Sequence, residues 1–264
     1  MKYILFLILA VNTVQLTAQT PIPTAHAHND YLQKNPLKDA LANGFMSIEI
    51  DLYLKKGKLV VSHYPFFLGW KKTIEELYLK PLKAHIIKNG GRVYPNQKTP
   101  LILMLDLKTD GTEMYPYLKK VFEPYQDLIA TFPISDTMDF KPIRLLISGN
   151  RPIQSVQNNT IQYFQIDGRF DEFSLKASSS LVPRISDKYS KYFKWKGKGT
   201  MPETEQLLLE KLLQKAHQHG KKLRFWGMPN HPNVWKTLLD AGVDWMNVDD
   251  LEIYRQFWER YQDE

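Results

Sequence analysis

Short apolar runs of strand length recur along this chain, separated by stretches with helical periodicity. The densest are LILMLDL at 101–107 and IRLLIS at 143–148. Their apolar residues are continuous rather than alternating, the pattern of strands buried on both faces of a parallel sheet. Strands are predicted at 22–26, 47–54, 101–108, 143–149, 162–167, 183–187, 223–228 and 245–249, and helices at 36–43, 74–89, 113–125, 203–219, 233–241 and 251–261. Glycines in NGF, HGK and AGVD stand just past helix ends, where a left-handed residue closes the last turn. Eight strands alternating with helices in 264 residues predict an α/β protein built as a single (β/α)8 TIM barrel. The connections after the fourth and fifth strands lack a helical pattern, so the barrel is expected to be irregular there. LYLKKGKLVVSHY reads as strand, Lys-Lys-Gly turn, strand, a β-hairpin extension after strand 2.

The N-terminus carries a different signal. Lys2, an apolar run from Tyr3 to Val11 and a polar stretch ending at Ala18 have the layout of a secretory leader. Residues 1–18 are therefore expected to be a signal peptide and 19–264 the barrel domain, secreted or periplasmic. The alternative is a buried first helix, but Pro21 and Pro23 would stop it soon after. The chain has no cysteine, which excludes a disulfide, a thiolate metal site and a cysteine nucleophile. The net charge of +7 suits anionic small molecules or peripheral contact with an anionic membrane surface. It equally suits a plain solvated surface. No nucleic-acid motif is present, and oligomeric state is not legible.

The chemistry-bearing residues concentrate early. Glu49 and Asp51 lie two apart in SIEIDLYL, so both face one side of a strand, which in a barrel is the interior. Two buried carboxylates repel unless a cation lies between them. Asp106 is a lone acid near the end of LILMLDL, with Lys108 two residues on. Three carboxylates offering oxygen ligands fit one hard divalent cation, Mg²⁺ or Ca²⁺, with Lys108 as a further positive contact for phosphate. His26 and His28 follow the first strand and His63 ends the hairpin arm. Histidines so placed suit proton transfer to and from the oxygens of a phosphodiester. His26 and His63 are the expected pair, with His28 sharing that role, ligating the metal or ordering the loop.

These residues resemble the phosphatidylinositol phospholipase C-like phosphodiesterases, among them glycerophosphodiester phosphodiesterases and sphingomyelinase D enzymes. The resemblance runs through a first-strand histidine (His26), a Glu-x-Asp strand (Glu49, Asp51), a histidine on a returning arm (His63) and an acid-x-Lys strand (Asp106, Lys108). Asn29 matches the spacing of the sphingomyelinase D group and, with Lys108, is a candidate phosphate contact. HAHNDY, NPLKDALANG, ISGNRP, DGR, HGKKLRFWGMP and VDWMNVDDL resemble the altered inheritance of mitochondria protein 6 family over nearly all of the chain after the leader. The resemblance implies the barrel and a phosphodiesterase-like site acting on a small-molecule or lipid phosphodiester. One departure matters. The His-Arg-Gly of glycerophosphodiesterases is His26-Ala27-His28 here, so the arginine that would hold phosphate is absent from that position. Arg151 and Arg169, each following a predicted strand, are candidates to replace it.

Two other readings start from the same letters. His26-x-His28 also resembles the metal-binding pair of amidohydrolase-type or PHP-type hydrolases, which would need further histidines after middle strands; QIDGR and PRISD carry none. His217 and His219 read as the C-terminal end of a helix. A secreted, non-catalytic lipid- or glycan-binding barrel is the other reading, since RFWGMP and HYPFFLGW are rich in aromatics. Phe66, Phe67 and Trp226 are candidates for a substrate wall; the competing expectation packs the HYPFFLGW loop on the next helix.

Overall fold

The computed structural model describes residues 20–66, 68–132, 140–158 and 163–263. The expected leader, Phe67 and the predicted start of the 162–167 strand lie outside them. Among the described residues nine strands form one sheet: β1 Ile22–Ala27, β2 Phe45–Lys55, β3 Lys58–Val61, β4 Leu101–Leu107, β5 Ile143–Gly149, β6 Phe164–Gly168, β7 Arg184–Lys188, β8 Lys222–Trp226 and β9 Trp245–Val248. Leaving out β3, each pairs in parallel with its neighbours, and β1 bonds to both β2 and β9, so eight strands close into a barrel. The predicted TIM barrel is the observed fold.

The helices are α1 Lys38–Ala42, α2 Lys80–Lys88, α3 Gly111–Phe122, α4 Ile153–Gln157, α5 Glu172–Lys176, α6 Glu203–Gln218, α7 Pro232–Asp240 and α8 Leu251–Gln262. The long ones bury one stripe on the sheet; Leu209, Leu212, Leu213 and Ala216 do so for α6. The irregularity falls where it was expected: α4 and α5, after β5 and β6, are little more than single turns. The helix predicted at 74–89 begins with a π-helical segment, Glu75–Leu79, before α2. Pro81, which has no N–H for an α-type ladder, sits at that junction. No described helix is long and apolar enough to cross a membrane.

β2 runs beyond the barrel rim and turns back into β3, with Leu52 opposite Val61 and Lys55 opposite Lys58. The two turn residues, Lys56 and Gly57, have φ of 48° and 73°, as a tight hairpin turn demands. The return arm carries His63 back to the mouth, beside Asp51 of β2.

Candidate active site

At the C-terminal end of the strands lies a cleft of about 300 Å³. His28, Glu49, His63, Asp106, Lys108 and Arg169 are among its lining residues, and so are Asn29 and Trp226. Most come from strand ends or the residues just after them, where barrel enzymes place their chemistry. A larger cavity, of about 530 Å³, opens at the opposite end and holds none of the predicted residues.

The acids are where the alternation of β2 predicts. Asp51 pairs across the sheet with Asp106, and Glu49 faces the same interior. Glu49, Asp51 and Asp106 each offer one oxygen, all within 4.8 Å of one another. Lys108 Nζ lies 2.6 Å from Asp106 and 3.0 Å from Asp51. Burial pushes the Asp51 pKa up against the pull of Lys108 and the Tyr31 hydrogen bond, and the neighbouring acids push it further up. Asp51 is fully buried, and its Oδ1 has no hydrogen-bond partner. A carboxylate oxygen so placed costs about 1–3 kcal/mol unless something meets it. A cation ligated by oxygen would meet it, so the donor set and the orphaned atom both fit a hard divalent ion.

The histidines separate. His26 is completely buried, its Nδ1 is 2.6 Å from Ser47 Oγ, and its Nε2 is close to both Arg224 and Glu49. Burial, then the charges of Arg224 and Arg184, hold its pKa well below 6.5. A neutral ring beside Arg224 accepts at Nε2 and donates from Nδ1 to Ser47, leaving neither nitrogen for substrate. His26 does not line the cleft; His28 does, because the next inward position along β1 lies one layer higher. His28 Nδ1 lies 2.6 Å from Asp249 Oδ1, and Asn230 bonds the other oxygen of Asp249. Burial lowers the His28 pKa, but the Asp249 bond and the charges of Glu49 and Asp249 outweigh it, leaving a net rise. His63 Nδ1 lies 2.9 Å from the Tyr31 hydroxyl and 3.2 Å from Asp51 Oδ2. Tyr31 also donates to Asp51 at 2.7 Å and so bridges the acid and the histidine.

Of the arginines proposed for phosphate, Arg169 lines the cleft. Arg151 stays outside it, donating to the Asp167 carbonyl at 2.8 Å and lying 3.9 Å from Asp171. Arg224 of β8, not foreseen, does line the cleft and lies 3.3 Å from Glu49 and 2.8 Å from Asn247. Beneath the cleft, burial raises the Asp167 pKa, but Arg184, Arg224 and Arg169 more than reverse this and keep the acid ionised. Trp226 is on the cleft wall, with Lys188 Nζ 5.5 Å from its ring centre. Phe66 is exposed on the adjoining loop. Leu68 alone of that loop's described apolar residues packs inward, against Tyr53 and Val60.

The amidohydrolase reading loses support, because among the described residues neither His26 nor His28 belongs to a group of three side chains placed to hold a metal. The acid cluster is the one potential metal group among the described residues. The sequence profile of the AIM6-like phosphodiesterase domain matches residues 15–166. The chain belongs to this family. AIM6-family relatives include the altered inheritance of mitochondria protein 6 homolog of Arthroderma benhamiae, 26% identical over 271 residues, 90% of this chain and 84% of that protein. The altered inheritance of mitochondria protein 6 of Eremothecium gossypii is 28% identical over 291 residues, 92% of this chain and 72% of that one. A solved glycerophosphodiester phosphodiesterase from Parabacteroides distasonis superposes with a TM-score of 0.55 at 14% identity, over 93% of this chain and all of that one. That likeness shows the shared barrel.

Proposed function

We propose that this AIM6-like domain is a metal-dependent phosphodiesterase acting on a glycerophosphodiester- or phospholipid-type substrate. Glu49, Asp51 and Asp106 would hold one Mg²⁺ or Ca²⁺, and the observation that carries the reading is the orphaned Asp51 Oδ1 inside this acid cluster. The ion, when bound, would stabilise negative charge on a phosphoryl oxygen. Lys108, Arg169 and Arg224 would present further positive charge to the phosphate, taking the place of the arginine absent after His26. His28, whose pKa is raised, suits the general acid that protonates the leaving oxygen. His63, held by Tyr31 and Asp51, suits the general base on the attacking hydroxyl. Trp226 would flank the apolar or glycosyl part of the substrate. A secretory leader over residues 1–18 belongs to the same proposal, as do Asn29 at the cleft and docking at anionic lipid.

The test is calorimetric titration of chelator-treated protein with Mg²⁺ and Ca²⁺, followed by a phosphodiester screen read by phosphorus NMR. One ion per chain is expected, lost in Asp51→Asn, with turnover restored by the ion that binds. Full turnover in excess chelator would sink the metal assignment.

A further inference from the structure

The cavity at the N-terminal ends of the strands has an apolar wall that includes Ile102, Leu146, Leu239 and Trp245. Two arginines enter it, Arg144 from β5 and Arg184 from β7. Arg184 is 1% exposed. Its Nε donates to Asp167 at 3.0 Å and its Nη2 lies 2.7 Å from Met104 Sδ, but Nη1 is buried with no partner. The Arg144 Nε is buried and unpartnered too, with the guanidinium over the Phe132 ring at 5.0 Å. Guanidinium stays charged in proteins, and a buried N–H left without an acceptor is costly. The cavity's carboxylate cannot serve them: Asp244 is engaged by Lys222 and His217, each at 2.8 Å, and by the Leu223 N–H. The cavity therefore combines unmet cationic donors with an apolar wall, at about 530 Å³, within the usual range for small-molecule sites.

We propose that this cavity is a second binding site, separate from the phosphodiesterase cleft, for a monocarboxylate carrying an apolar chain. One carboxylate oxygen accepts from the Arg144 Nε–H and the other from the Arg184 Nη1 amino group, and its chain lies against Leu146, Ile102 and Trp245. Arg184 is already paired with Asp167 at 3.0 Å and Lys222 with Asp244 at 2.8 Å, so the single charge of a carboxylate suits the remaining positive charge better than the two of a phosphate monoester.

The test is titration calorimetry of the protein with sodium octanoate, with octan-1-ol and butyrate as controls for charge and chain. Arg144→Gln is the first variant, since Arg184 also holds the buried Asp167 and its replacement risks the fold. Leu239→Trp, at a half-buried position on α7, narrows the cavity without touching either arginine. Octanoate is expected to bind saturably with one site. Octanol, butyrate and either variant should each bind or be bound at least about 10-fold more weakly, the size of one lost charged hydrogen bond. Circular dichroism checks that both variants are folded. No saturable heat with octanoate, equal affinity for octanol, or unchanged affinity in both folded variants would overturn the proposal and leave ordered water as what the arginines meet.

Discussion

At the scale of single residues, His28 and Asp249 make the most testable pair. The bond between them raises the His28 pKa, so His28 keeps its proton further into neutral pH than an isolated imidazole would. Asp249→Asn removes the charge that helps sustain this. The basic limb of the kcat/KM profile should then move to lower pH, while the profile of a folded His26→Ala variant keeps its shape. Stability follows the same sign. A raised histidine pKa contributes stability that is fully present below the ordinary value of 6.5 and is lost as pH rises through the folded value. Thermal melts of Asp249→Asn across that window should be flatter than those of the parent. An unmoved basic limb would show that His28 is not the acid. In the same series, His28→Ala and His63→Ala should each lower turnover by about 10²-fold or more. The sequence showed three histidines, not which of them reaches the cleft. Their positions relative to the barrel layers depend on strand register, and a shift of one layer separates the fully bonded His26 from the accessible His28. Arg224 was illegible for a related reason: in KKLRFW it reads as one more surface cation, and the closed sheet turns it inward.

At the scale of elements, β2 and β4 were the easiest to read, because apolar runs interrupted by acids leave few options in a two-faced strand. The single turns α4 and α5 were not readable, since five residues carry too little periodicity to mark a helix. The end of β5 carries a constraint that its sequence shows only as a glycine. Gly149 has φ 66°, and a Cβ there would lie 2.1 Å from Asp106 Oδ1 and 2.5 Å from the Leu107 carbonyl. Its missing side chain is what lets the acid of β4 stand between two strand ends. Gly149→Ala should displace Asp106 and strain the backbone together. The expected outcome is weaker binding of the divalent ion in calorimetry, by about 10-fold or more, with a lower Tm. Unaltered ion affinity in a folded Gly149→Ala protein would remove Asp106 from the proposed ligand set.

For the whole molecule, the question is how a cleft this polar takes its substrate. The loop after β3 leads outward from His63 through rings in sequence: His63 meets Tyr64 edge-on at 4.5 Å, and Tyr64 stacks with Phe66 at 6.5 Å. Tyr64 is 62%, Phe66 66% and Trp70 91% exposed, and Lys71 and Lys72 follow on the same excursion. Large aromatic rings held in water beside lysines have the chemistry of an interfacial contact with anionic head groups, where rings enter the lipid and ammonium groups meet phosphate. The chain's +7 charge favours the same approach. The combined variant Phe66→Ala, Trp70→Ala is therefore expected to lose at least about 10-fold in rate on a phosphodiester presented in anionic vesicles, with little change on a short soluble diester and little change in Tm. Raising salt to roughly 0.5 M should weaken the vesicle reaction of the parent protein, because screening shortens the reach of the lysines. Equal losses on both substrates would place the loop in catalysis or packing rather than docking, and a vesicle rate indifferent to both the variant and the salt would point to a soluble substrate.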